Sequence, residues 1–192
     1  SPAQAVAGAD VVITMLEDGA VVDQVLYQSG AIAGLRPDTL VIDMSSIEPA
    51  TARRHGAQVT QQGGGYLDAP VSGGTRGAQA GTLSIMAGGS DQDFDRAGLI
   101  FQALGKATHI GPVVSGQLAK LANQAIVGIT ICAVSEALLL AAKGGARPDK
   151  VREALLGGFA GSKILDQHGV RMPARDFVPR APARIQLKAF RM

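Results

Sequence analysis

The chain has 192 residues, enough for one ordinary domain or for one and part of a second. Its 46% hydrophobic content supplies material for a core and argues against intrinsic disorder. Basic and acidic residues number 18 and 16, and with 4% aromatics and no Trp this balance argues against a base-stacking nucleic-acid platform. The opening residues do not read as a signal peptide, so the expectation is a cytoplasmic protein. The single cysteine, Cys132, lies in an apolar run and is expected to be a buried structural thiol.

Ser1 and Pro2 read as the cap and first position of a short helix through residue 7. Residues 11–16 (VVITML) form a continuous apolar run between Asp10 and Glu17-Asp18-Gly19, as expected of a strand buried on both faces. Residues 20–26 are helix-like, and residues 30–37 are a breaker. Residues 39–44 predict a second buried strand, ending in Ser45-Ser46. A helix over 48–62 follows, opened by Pro49 and closed by Gly63-Gly64-Gly65, and then a third strand over 66–71. Strands at intervals of roughly 28 residues with helical connections predict a parallel α/β sheet. Ligands gather at the carboxyl ends of such strands, here Met15-Leu16, Ser45-Ser46 and Ser72-Gly73-Gly74. No glycine cluster has the G-x-G-x-x-G spacing of a dinucleotide fingerprint.

Residues 67–89 read LDAPVSGGTRGAQAGTLSIMAGG, two apolar runs separated by a glycine-rich segment. Glycine accepts φ > 0, so the backbone can fold back and present N–H groups to a small anion, with the Ser72 hydroxyl as one more donor. The same spacing also suits a plain tight turn between two strands. A helix over 93–104 and a strand over 107–110 precede a break at Gly111-Pro112, which divides the chain into 1–114 and 115–192. Residues 116–144 are the longest apolar stretch, and residues 125–142 approach the length of a membrane span. Glu136, Thr130 and Ser135 inside it, with no flanking aromatic belt, favour a helix buried in a globular α-helical domain. Helices over 150–156, opened by Pro148-Asp149, and over 162–170 complete the pattern.

Lys120, Asn123 and Gln124 share one face of the long helix. A lysine at the head of an apolar helix is partly desolvated, which lowers its pKa toward the range useful for proton transfer, and a neighbouring amide can orient a hydroxyl. A snorkelling lysine with solvated amides is the structural alternative. His55, His109 and His168 are scattered without metal-ligand spacing, so a zinc site is not expected.

Asp68-Ala69-Pro70-Val71-Ser72-Gly73-Gly74 with Gly81-Thr82-Leu83-Ser84, followed by residues 116–124 (GQLAKLANQ), closely resembles the substrate and catalytic-lysine motifs of the β-hydroxyacid dehydrogenases. The similarity runs from about Ala9 to Phe177. The segment Gly157-Gly158-Phe159-Ala160-Gly161-Ser162 with Leu165-Asp166, and Gln124 in place of a second asparagine, lean toward the branch that reduces tartronate semialdehyde to glycerate. The 3-hydroxyisobutyrate dehydrogenases are the alternative within the family. The resemblance implies the C-terminal part of a Rossmann-type parallel-sheet domain, followed by an all-α domain with a long interdomain helix. It further implies NAD or NADP as cofactor, a small hydroxyacid or semialdehyde substrate, a homodimer or homotetramer, and no nucleic-acid or membrane partner.

By position, the resemblance makes Lys120 the general acid and base, Ser72, Gly73 and Gly74 the carboxylate site, and Asn123 and Gln124 the orienting amides. Met15, Leu16 and Ser46 fall at the nicotinamide and ribose end of the cofactor, and Lys188 matches a cofactor-side lysine. The sequence departs from the family pattern in several places. The glycine fingerprint has no counterpart, Glu17 stands where proline is common, Pro179-Arg180-Ala181-Pro182 replaces Pro-Gly-Phe, and Ala189 replaces an aspartate. These departures keep open a second class of reading, an inactive remnant acting only in binding or oligomerisation.

Overall fold

The computed structural model describes residues 1–178 and 183–192, so the Pro179–Pro182 departure lies outside the described residues. The chain forms two compact units, Ser1–Leu121 (with Met192) and Ala122–Arg191. In the first, β1 (Val11–Thr14), β2 (Leu40–Asp43) and β3 (Gly65–Asp68) are the expected parallel strands, paired Thr14 to Asp43 and Asp43 to Asp68 at their carboxyl ends. Successive side chains of a strand point to opposite faces. Leu40 and Ile42 accordingly join a cluster with Leu67, Ile85 and Phe101, while Val41 joins one with Val22, Leu26, Val59 and Tyr66. Helix α3 (Pro49–Gln61) covers the second cluster with Ala52, His55, Gly56 and Val59, the spacing of one helical face. The shorter helices α1 (Pro2–Val6) and α2 (Gly19–Asp23) open their segments on the side-chain caps Ser1 and Asp18, and α2 continues as a wide π turn over Gln24–Gln28.

Four features of this unit differ from expectation. Strand β1 pairs only with β2 among the described strands and leaves Ile13 46% exposed, so it is not buried on both faces. The glycine-rich segment contains a helix, α4 (Gly74–Ala80), between β4 (Val71–Ser72) and β5 (Leu83–Gly88), where the sequence reads only as a turn. The sheet is also mixed rather than all parallel. Strand β5 runs antiparallel to β3 and β4, and β6 (Gly105–Gly111) runs parallel to β5. Between β5 and β6 the expected single helix divides at Ala97 into α5 (Asp91–Arg96) and α6 (Gly98–Leu104).

Helix α7 (Ser115–Lys143) begins in the first unit and continues in the second, where α8 (Pro148–Leu156), α9 (Lys163–Gln167) and α10 (Ala183–Arg191) follow. Val134 and Leu138 of α7 pack with Leu165, Val151 and Leu155. Arg152 ties α8 to α9 by donating to the Leu165 and Asp166 carbonyls at 3.1 and 2.8 Å. Helix α7 is long and apolar enough to cross a membrane, yet it is not the buried helix expected from its composition. Ile126, Ile129, Leu139 and Leu140 are each more than half exposed in this chain. Cys132 is exposed as well, because it lies on the same open side rather than in the core.

Ile42 is fully buried in the central strand, so Ile42→Ala should destabilise the first unit by about 2–5 kcal/mol through lost burial and a residual cavity. Urea denaturation followed by far-UV circular dichroism measures this. A loss under 1 kcal/mol would contradict the assigned core.

Candidate active site

The carboxyl ends of β1, β2 and β3 and the first turn of α7 are joined by buried hydrogen bonds. Thr14 Oγ1 and the Ser45 N–H both donate to Asp43 Oδ1 at 2.9 Å, and the Leu16 N–H donates to Ser45 Oγ at 2.9 Å. Burial pushes the Asp43 carboxyl above its ordinary range, against the opposing effect of its bonds to Ser45 and Thr14. One strand further, the fully buried Asp68 accepts from the Val114 N–H through Oδ1 at 2.7 Å and from the Gln117 N–H through Oδ2 at 2.8 Å. These are amides of a helix start, which lack intrahelical acceptors and carry the positive end of the helix dipole. Burial nevertheless pushes the Asp68 carboxyl up to about 6, the bonds from Val114 and Gln117 acting in the opposite direction.

The local backbone is shaped for this contact. Val114 has φ of +91°, a left-handed conformation that costs a β-branched residue about 1–3 kcal/mol, and its N–H is one that Asp68 holds. A Cβ at Gly116 would collide with the carbonyl oxygens of Asp68 and Met86, and one at Gly88 would lie 2.6 Å from Asp68 Oδ1. Glycine at both positions lets α7 start directly against the ends of β3 and β5. The Gln117 side chain, on a residue only 1% exposed, donates from Nε2 to the Ser45 carbonyl at 2.9 Å and accepts from the Ile47 N–H at 3.1 Å.

The half-buried Lys120 follows one turn later in the first unit, on the helix face that Gln117 directs toward the end of β2. Ser72 lies in β4 opposite Ser84, and Gly73 and Gly74, with φ of +136° and +62°, lead into α4. A Cβ at Gly73 would approach Leu83 Cδ2 to 3.2 Å, so a larger residue there meets both strain and contact. The exposed glycine pair and the Ser72 hydroxyl make a polar corner four residues beyond the Asp68 anchor. Met15, 63% exposed, and the half-buried Leu16 and Ser46 lie at the ends of β1 and β2.

Asn123, Gln124 and Lys188 belong to the second unit. There Asn123 Nδ2 donates to Gln124 Oε1 at 2.9 Å, and Gln124 Nε2 donates to Gln186 Oε1 of α10 at 3.1 Å. Gln186 returns a bond to the Gln124 carbonyl at 2.7 Å. The Gln124 amide is thus engaged with α10, and Lys188 is half-buried on that same helix. Sequence reasoning missed two residues of the site, Asp68 as the anchor of α7 and Gln117 altogether. The signal for Gln117 is a polar residue three positions before Lys120 at the head of an otherwise apolar helix. Among the described residues, no group of three His, Cys, Asp or Glu side chains is placed to hold a metal.

Residues 1–114 match the NAD binding domain of 6-phosphogluconate dehydrogenase, and residues 114–191 match the NAD-binding domain of NADP-dependent 3-hydroxyisobutyrate dehydrogenase. The chain belongs to the β-hydroxyacid dehydrogenase family of NAD- or NADP-binding oxidoreductases. It is 48% identical to the 2-hydroxy-3-oxopropionate reductase of Escherichia coli over 92% of this chain and 61% of that protein. It is 37% identical to the 3-hydroxyisobutyrate dehydrogenase of Pseudomonas aeruginosa over 95% of this chain and 61% of that one. The Mycobacterium tuberculosis 3-hydroxyisobutyrate dehydrogenase, solved with L-serine, superposes with a TM-score of 0.87 at 34% identity over 98% of this chain and 67% of that chain. The chain thus spans about 61% of the length of its E. coli relative. Met15 is exposed and apolar at the end of β1, and no G-x-G-x-x-G spacing occurs in the 192 residues.

The raised value of Asp68 fixes a sign for stability against pH. The native carboxyl keeps its proton up to about 6, whereas the unfolded one releases it near 3.9. The native state therefore binds more protons between these values, and stability falls as pH rises from about 4 to about 6. Thermal midpoints recorded across this range should fall more steeply for the parent protein than for Asp68→Asn. Parallel curves would contradict the assignment.

Proposed function

We propose that the protein is an NAD(P)H-dependent reductase that converts tartronate semialdehyde (2-hydroxy-3-oxopropionate) to glycerate. The observation that carries this reading is the Lys120 helix, pinned by Asp68 and Gln117 against the ends of β3 and β2, with the Ser72-Gly73-Gly74 corner beginning four residues after Asp68. Similarity to the E. coli 2-hydroxy-3-oxopropionate reductase supports the choice of substrate. Ser72 Oγ and the Gly73 and Gly74 N–H groups would bind the substrate carboxylate, as donors at a backbone that glycine lets fold open. Lys120, as the ammonium, would donate a proton to the aldehyde oxygen as the carbonyl electron pair moves onto it, and as the amine would recover that proton in reverse. Asn123 and Gln124, bonded to each other at 2.9 Å, would be the orienting amides.

Met15, Leu16 and Ser46 would hold the nicotinamide and ribose. The bound dihydronicotinamide would supply the hydride to the aldehyde carbon. The exposed apolar residues Ile126, Ile129, Leu139 and Leu140 of α7 support a homo-oligomer. The domain division we propose is a cofactor-binding region over 1–114 and a helical substrate and oligomerisation region over 115–192.

The relatives named 3-hydroxyisobutyrate dehydrogenase favour a second reading, in which the same cradle and lysine serve 3-hydroxyisobutyrate. Comparing kcat/KM for tartronate semialdehyde and for 3-hydroxyisobutyrate in the full-length gene product separates the two, and preference for the latter overturns our choice of substrate. Fluorescence titration with NADH and NADPH tests the non-catalytic reading, which requires that neither binds. Lys120→Ala should lower kcat by about 10²–10⁴-fold if Lys120 transfers the proton. A loss of less than tenfold would show a structural lysine.

A further inference from the structure

Packing alone does not call for glutamine at position 117. An apolar residue of similar volume could fill a site 1% exposed without the cost of desolvating an amide. Here both halves of the carboxamide are paired, and with the peptide groups on either side of a single residue. Nε2 donates to the Ser45 carbonyl at 2.9 Å and Oε1 accepts from the Ile47 N–H at 3.1 Å, so the residue bracketed is Ser46. The side chain fixes the backbone around Ser46 much as a neighbouring strand would. The backbone N–H of Gln117 is itself held by Asp68 Oδ2 at 2.8 Å, which fixes this residue to both β2 and β3.

Such a clamp sets two coordinates of α7. A helix rises about 1.5 Å and turns about 100° per residue, so a slide or rotation by one residue would break all three bonds. Lys120 lies about 4.5 Å further along the axis and about 60° round, and inherits the height and rotation fixed at Gln117. Two of these bonds join the loop at Ser45–Ile47 to the start of α7, 70 or more residues away in the chain, and the third joins the same residue to Asp68.

We infer that Gln117 is a positioning residue, which couples the setting of the Lys120 helix to the loop that carries Ser46. This rests on the proposed roles of Lys120 and Ser46. Proton and hydride must reach two atoms of one carbonyl together, and Gln117 keeps the proton donor and the cofactor-side wall in one register. Small errors of position in such an arrangement cost about 100-fold in rate.

The test measures Gln117→Met, Lys120→Ala and the double variant in the full-length gene product, with tartronate semialdehyde and NADPH or NADH. Gln117→Met should lower kcat by about 100-fold while KM for the semialdehyde changes by less than about threefold. The double variant should be no slower than Lys120→Ala alone, because Gln117 acts through Lys120. If Gln117→Met does not fold, Gln117→Glu keeps an oxygen for the Ile47 N–H, and its kcat should fall below the parent with the same non-additivity. Losses that multiply in the double variant, or a kcat within about threefold of the parent, overturn the positioning role and leave the Lys120 reading standing. A mild effect of Lys120→Ala overturns the acid–base reading itself, and this inference with it.

Discussion

A buried carboxylate at the start of a long helix is the constraint on which the first unit depends. Asp68 ends β3, and its two oxygens hold the amides of Val114 and Gln117. Removing that partner would leave two helix-start N–H groups buried without an acceptor, at about 1–3 kcal/mol each. Burying a carboxylate is also costly, and its pKa near 6 records that cost. The arrangement is justified by what it positions, since a helix docked by apolar contacts alone could slide, whereas two directed bonds fix its start.

The surrounding residues follow from this contact. Gly116 and Gly88 lack side chains where one would strike Asp68 or its neighbours, and Val114 takes up a strained φ to bring its N–H round to the carboxylate. Gln117 then extends the attachment to β2, where Asp43, Thr14 and Ser45 already bind the strand ends to one another. The glycine corner at Ser72-Gly73-Gly74 begins four residues after Asp68. The segment from the end of β3 through β4 therefore carries both the anchor of the proposed proton donor's helix and the proposed carboxylate cradle.

Sequence reading reached the parts of this that depend on local pattern. The runs at 40–42 and 66–67 are aliphatic or aromatic and are bounded by polar or glycine-rich segments, so both strands were legible. Helix α4 was not, because Gly74-Thr75-Arg76-Gly77-Ala78-Gln79-Ala80 has two glycines and no apolar periodicity; it forms where Gly73 and Gly81 provide the required turns. The exposure of Ile13 and Cys132 was equally hidden, since an apolar run does not say which neighbours cover it. Motif resemblance pointed to Lys120 and the glycine corner. The Asp68–Gln117 contact spans 49 residues, and no local spacing encodes it.

The central claim is that Lys120 and the Ser72-Gly73-Gly74 corner face one substrate molecule. The most direct test is a crystal structure of the full-length gene product with bound glycerate. The account predicts the carboxylate on Ser72 Oγ and the glycine N–H groups, with the hydroxyl formed by reduction about 2.6–3.2 Å from Lys120 Nζ. Glycerate bound elsewhere, or a carboxylate on the corner with Lys120 directed away from the hydroxyl, would contradict it.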